Sequence, residues 1–310
     1  MMRDMIAITD LLGTTHPIIS APMAGVAGGR LAHAVSAAGG LGMIGARGTS
    51  SPEWIAEQAA LAGEGATPFG IGLMAWVPQL DEQIDAITSL TGLSRPKLVS
   101  VSFGDLVEPV RRLHEWGLLV ACQVGNAADL EQAIEARADI IVARGGEGGG
   151  HGRDEVATDD LLAMALAATD RPVLAAGGIS TAADVARVVG AGAAGVWCGT
   201  PFLTCVEADN TPAARAALVA ADATRYSRVH DVAQGLAWPR EFGGRAVDTP
   251  FVQRWAGDED AMTDAARAEH ADGRERGDTG YTPLYAGVGV DRLTAETDAA
   301  SVVRSLVDGI

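Results

Sequence analysis

Lysine is nearly absent from this 310-residue chain, Lys97 being the only one. A lysine Schiff base is therefore implausible, and with no GxxxxGK[ST] loop P-loop chemistry falls with it. Basic residues of any kind are scarce, 23 Lys+Arg against 40 Asp+Glu, for a formal charge of −17 and a pI near 4.6. That balance argues against nucleic acid as a partner, because affinity for it needs cations to replace the counterions on phosphates. Cysteine is scarce too: Cys122, Cys198 and Cys205 are odd in number and show no CxxC spacing. A disulfide framework and a structural zinc are both excluded on that pattern, and a reducing compartment fits it. HExxH is missing, as is any His/Asp cluster at metal-ligand spacing, so no metal is expected. Long apolar runs are missing as well. Residues 161–168 fall far short of the ~20 needed to span a bilayer, and residues 1–10 carry Arg3 and acids where a secretory signal would have an apolar stretch. The expectation is a soluble cytoplasmic protein with no membrane partner.

What the chain does have is apolar residues, 48% of the total, and 39 glycines. The glycines sit mostly at the ends of short apolar runs, where a chain leaving a strand needs positive φ or close approach to a ligand. Those runs predict eight strands, at 18–21, 41–44, 69–74, 98–102, 118–123, 140–143, 173–175 and 195–198. Their starts lie 20 to 33 residues apart, room each time for the crossover helix that a parallel connection requires. Ala-rich helical patterns fill the gaps at 30–38, 52–62, 80–90, 109–116, 127–136, 159–168 and 181–189, with start signals at Ser51-Pro52 and Ser180-Thr181. The strands read as continuous apolar runs, as expected where helices cover a sheet. Eight such units predict an α/β chain folded as a (β/α)8 TIM barrel, favoured over an open doubly wound sheet by the regularity of the units. After the eighth strand the rhythm stops. Residues 213–221 read as a helix, 223–282 as a smaller, mainly helical insertion over the barrel mouth, and 295–307 as a closing helix. The barrel would then comprise residues 1–222 and 283–310.

In such barrels ligands bind at the carboxyl ends of the strands. The seventh strand ends in Ala176-Gly177-Gly178-Ile179-Ser180 and the eighth in Gly199-Thr200-Pro201, each before a helix. Paired loops of this kind hold a phosphate on backbone N–H groups and a helix N-terminus; the alternative is that the glycines only make tight turns. The sixth strand ends in GGEGGGHG at residues 145–152, glycines that allow close approach to a flat ligand and one imidazole able to move a proton near neutrality. His151 is the candidate catalytic group. His33 and His114 fall in helical patterns, His270 in a charged run and His16 before a proline, whereas His230 is open to a pocket-facing reading. Residues 40–45 match GxGxxG formally but lie within a predicted strand, which fails the context that a dinucleotide fingerprint requires. Cys198 reads as a small core residue. Met74, Trp76, Trp238 and Tyr281 either line an apolar pocket or pack in the core.

Taken in order, PIISAPMAG at 17–25, GGLGMIG at 39–45, ARGGEGGGHG at 143–152, AAGGIS at 175–180 and GVWCGTPF at 195–202 resemble the nitronate monooxygenases, formerly 2-nitropropane dioxygenases. The likeness extends from Pro17 to Thr204, with a looser echo at residues 285–307. It implies an FMN-binding (β/α)8 barrel. Carried over position by position, it places Pro22, Met23, Ala24 and Gly25 beneath the flavin ring. Gln123 is set at its pyrimidine side, and Gly149 and Gly150 at the ring edge beside His151. Gly177, Gly178, Gly199 and Thr200 would hold the ribityl phosphate. The implied reaction is oxidation of an alkyl nitronate, or a nitroalkane after loss of its α-proton, by FMN and O2 to a carbonyl compound and nitrite. A homodimer is among the expectations. This chain has Gly72 where the family often has asparagine, and Arg144 where it often has glutamine. Arg144 either adds a cation that favours an anionic substrate or flavin, or is a surface or salt-bridged residue. Rival readings are an NAD(P)H-dependent flavin reductase on the same scaffold, of the enoyl-acyl-carrier-protein reductase or NADH:quinone reductase kind, and a non-catalytic barrel that senses a phosphorylated ligand.

Overall fold

The computed structural model describes residues 7–310, so Arg3 and the rest of residues 1–6 lie outside it. Eight strands form one parallel sheet: β1 Ile18–Ser20, β2 Gly42–Gly45, β3 Phe69–Met74, β4 Leu98–Ser102, β5 Leu119–Val124, β6 Ile140–Arg144, β8 Val173–Ala176 and β9 Gly195–Cys198. The short strand β7, Gly150–Gly152, lies between β6 and β8 in sequence and belongs to another sheet. β1 pairs with β9, and the ring closes where Ile19 bridges Leu41, the Leu41 amide donating to the Ile18 carbonyl at 2.9 Å. The expected TIM barrel is therefore the fold, each strand lying within a residue or so of its predicted limits.

Side chains alternate between two cores. On β6, Ile140 and Val142 point inward with Met43, Leu98, Leu174 and Trp197, while Ile141 and Ala143 face the surrounding helices. Both sets are buried, which is why the strands read as unbroken apolar runs. Each Leu or Ile so buried contributes about 1.5–3 kcal/mol relative to exposure. Local signals start the helices: the Ser51 hydroxyl accepts from the Trp54 amide ahead of Pro52, and Thr181 and Asp184 form a reciprocal capping box. Helix Ala299–Val307 packs against Gly29–Ala37 and Ala182–Gly190 and completes the outer ring.

The region after β9 is mainly helical, as expected, with two strands that the sequence did not signal. It contains helices Val229–Gln234, Pro250–Trp255 and Asp264–Glu275, but also strands β10, Thr224–Ser227, and β11, Gly243–Val247. These two pair antiparallel, and β11 pairs in turn with β7, Gly244 opposite His151. The glycine-rich segment after the sixth barrel strand is thus partly a strand, and it ties the barrel to the elaboration. No helix among the described residues is long and apolar enough to cross a membrane.

Candidate active site

A cavity of about 760 Å³ opens at the carboxyl ends of the barrel strands. The turn after β1 brings Pro22, Met23, Ala24 and Gly25 to its floor, and β5 supplies Gln123. The segment between β6 and β8 contributes Gly149, Gly150 and His151, the turn after β8 Gly177 and Gly178, and the turn after β9 Gly199 and Thr200. His151 and all the residues expected to hold a flavin therefore border one space. Gly72 on β3 is also there, and a Cβ on it would collide with the Pro22 ring, so Pro22 fills the position that an asparagine would need.

His151 is nearly buried, its side chain 10% exposed, and is held from three sides. Its Nε2 lies 2.9 Å from a carboxylate oxygen of Asp231, a side chain only 1% exposed. Its ring stacks on Trp238 with centroids 3.7 Å apart and planes 4° from parallel, and Tyr285 sits tilted at 5.0 Å. Asp231, Trp238 and Tyr285 all follow β9. Burial, and then the negative charge of Asp231, raise the Tyr285 phenol well above its ordinary range, so it stays protonated.

Arg144 borders the cavity and is neither a surface residue nor a salt-bridged one. It is 4% exposed and makes no ion pair among the described residues; its guanidinium donates to the carbonyls of Arg153 at 2.7 Å, Gly150 at 3.1 Å and Gly149 at 3.3 Å, and to that of Gly148. Burial pushes it down to about 10, which leaves it charged at neutrality. A segment with so many glycines has little side-chain packing of its own, and this cation gathers its carbonyls to one point.

The phosphate corner was read from Gly177, Gly178, Gly199 and Thr200. Gly177 and Gly178 have φ of 108° and 67°, a consecutive pair of positive values that turns successive N–H groups toward one side. The Thr200 hydroxyl accepts from the Gly287 amide at 2.9 Å, which leaves its own proton to donate elsewhere. Nearby in sequence, the Ser180 hydroxyl is buried with no partner among the described residues. A Cβ on Gly149 would come within 2.5 Å of the Ala286 carbonyl carbon, so this backbone lies flush against its neighbour and its other side is bare main chain. A floor of small residues, a donor-rich corner and an unspent hydroxyl suit a flat group ending in a phosphate.

His230 does not serve the cavity. It is 4% exposed and packs in the elaboration with His270, 1% exposed, Nδ1 to Nε2 at 3.1 Å; its own Nε2 has no partner among the described residues. Burial first, then the charges of His270 and Arg274, push His230 down to about 3; burial and Arg274 push His270 down to about 4. Both imidazoles are therefore neutral in the folded protein at pH values where the unfolded chain, titrating near 6.5, has taken up protons. Their stabilisation is complete above pH 6.5 and drains as pH falls toward 4 and 3, at about 1 kcal/mol per pH unit for each. Melting temperatures measured from pH 7.5 down to 5 should decline in the parent. They should decline less steeply in a His230→Leu/His270→Leu double variant, whatever its absolute stability; equal slopes would disprove the linkage.

Met74, Trp76 and Trp238 line the cavity, but Tyr281 does not: it packs on Phe251 and hydrogen bonds to Glu269 at 2.8 Å. Cys198 is buried, and burial pushes its thiol far up, so it is no nucleophile. Missed from the sequence were Asp231, Tyr285 and two exposed arginines at the cavity, Arg47 and Arg274. Asp231 lies 80 residues from its partner, and no local spacing links the two.

A closed parallel barrel whose strand ends surround one imidazole and a glycine double turn defines a TIM barrel with an enzyme-like cavity at its carboxyl end. The chain belongs to the nitronate monooxygenase family, whose model matches residues 6–309. It is 31% identical to the nitronate monooxygenase of Pseudomonas aeruginosa over 97% of both chains. Its fold is similar to that of FabK from Thermotoga maritima, with a TM-score of 0.83 and 27% identity over 97% of this chain and 94% of that one. It is also similar to nitroalkane oxidase from Streptomyces ansochromogenes, with a TM-score of 0.82 and 27% identity over 97% and 96%.

Proposed function

We propose that this protein oxidises alkyl nitronates, and nitroalkanes once deprotonated, with O2 to a carbonyl compound and nitrite, with FMN in the cavity described above. The observation that carries the reading is that His151 and the turn at Gly177-Gly178 border the same 760 Å³ space. Gly177, Gly178, Gly199 and Thr200 would hold the FMN phosphate, and Pro22, Met23, Ala24, Gly25, Gln123, Gly149 and Gly150 would contact the flavin ring. FMN, when bound, supplies the electron transfer. His151 takes the α-proton of a neutral nitroalkane or, with a preformed nitronate, orients the anion. Trp76 and Trp238 give the pocket apolar walls that limit water at the carbon being deprotonated. A cytoplasmic location accords with three cysteines that are all free and buried.

The purified protein should be yellow, or become so with added FMN, and should release nitrite from ethyl nitronate in air. Rapid anaerobic bleaching by NAD(P)H, with no nitrite from the nitronate, would overturn the assignment in favour of a flavin reductase. A colourless protein that takes up no FMN would favour a phosphate-ligand sensor.

A further inference from the structure

We propose that Asp231 is a positioning residue that fixes which nitrogen of His151 acts as the base. The inference rests on the reading of His151 given above and adds the residue that orients it. A carboxylate only accepts hydrogen bonds, so the 2.9 Å contact puts the proton of the neutral imidazole on Nε2 and leaves the lone pair on Nδ1. Nδ1 is then the atom that meets the substrate. When it takes the α-proton, the C–H bond breaks, its electron pair becomes the C=N bond of the nitronate, and the imidazole becomes an imidazolium facing the Asp231 carboxylate.

The surroundings leave the ring little freedom to turn over. His151 stands on β7 opposite Gly244, so the pairing of β7 with β11 fixes the backbone from which the ring projects. Trp238 lies flat against one face. Asp231, in the helix Val229–Gln234, is 1% exposed and water cannot readily take its place at Nε2. A 180° flip about Cβ–Cγ would put the Cε1 carbon where Nε2 stands and lose the hydrogen bond to the carboxylate. The elaboration after β9 therefore does more than cover the barrel: it supplies the carboxylate, the stacking ring and the paired strand that together aim a histidine whose own segment is mostly glycine.

The direct test needs neither substrate nor cofactor. In protein labelled with 15N-histidine, the signals lost in His151→Asn identify the residue. With the pH raised until the ring carries a single proton, they should show a protonated Nε2 and a bare Nδ1; a protonated Nδ1 with bare Nε2 overturns the proposal. In turnover, Asp231→Asn should lower kcat on nitroethane by roughly 10²-fold with KM little changed, and lower activity on ethyl nitronate by less than about three-fold. His151→Asn/Asp231→Asn should be no slower on nitroethane than His151→Asn alone, as for two residues that act as one unit. Equal losses on both substrates, or no loss on nitroethane, would reduce Asp231 to a structural role. If the parent acts on neither compound, the proposed function fails while the 15N result still decides the tautomer.

Discussion

Replacing His151 with alanine is expected to slow turnover of a neutral nitroalkane by roughly 10²–10⁴-fold, the contribution of a positioned general base, while a preformed nitronate loses less than about ten-fold. The difference arises because a nitroalkane must surrender a carbon-bound proton before it can be oxidised, whereas a nitronate arrives without it. The other acid–base candidates among the described residues are poorly placed to substitute: Asp209, at the cavity, pairs with Arg30 at 3.1 Å. Tyr285 is held protonated by burial, and the Asp231 carboxylate is 1% exposed behind the imidazole. The alanine variant also strips Asp231 of its partner and Trp238 of its stacked ring, so its fold has to be checked separately. His151→Gln, whose amide nitrogen reaches the level of Nε2 and so keeps a donor toward Asp231, provides the control. Steady-state nitrite release from nitroethane and from ethyl nitronate measures the ratio. A ratio unchanged from the parent removes His151 from proton transfer, and equal activity on nitroethane removes it from the mechanism.

The parts of this molecule that were legible in its sequence share one property: their structure follows from burial on both faces or from a local turn. The barrel strands are short, apolar and regularly spaced, so their limits appeared to within a residue or so. The glycine turns at Gly177-Gly178 and Gly199 were visible for the same reason, since the residue type states the backbone requirement. What stayed hidden depends on distant partners. β7 is Gly-His-Gly, with no strand propensity, and exists because residues 243–245 pair with it. β10 reads Thr-Arg-Tyr-Ser, too polar to signal a buried strand. His270 looked solvated in a charged run, yet Ala266, His270 and Gly273 form the one buried stripe of their helix. Arg144 looked like a ligand for an anion or a surface charge because sequence cannot show that it ends among four backbone carbonyls.

That last residue carries the other large expected effect. Arg144→Met should destabilise the protein by about 2–4 kcal/mol and weaken FMN binding at least ~10-fold. The Gly148, Gly149, Gly150 and Arg153 carbonyls lose a common donor. The loss is less than the sum of four buried hydrogen bonds because methionine also removes the cost of desolvating a guanidinium, the same cost that pushes Arg144 down to about 10. Methionine keeps most of the volume, so the effect isolates the donors from the packing. Arg144→Gln, which retains an amide able to donate twice, should fall between the two, and Arg144→Lys should do little better, since a compact ammonium cannot span acceptors spread from Gly148 to Arg153. Thermal melts with and without FMN measure the stability change, and flavin titration measures the affinity. Hydrogen exchange should show faster opening confined to residues 145–153 and to the paired strand at 243–245. If Arg144→Met melts like the parent and binds FMN equally well, the carbonyl cluster holds its shape without the cation, and the reason for an arginine at this position lies in the substrate after all.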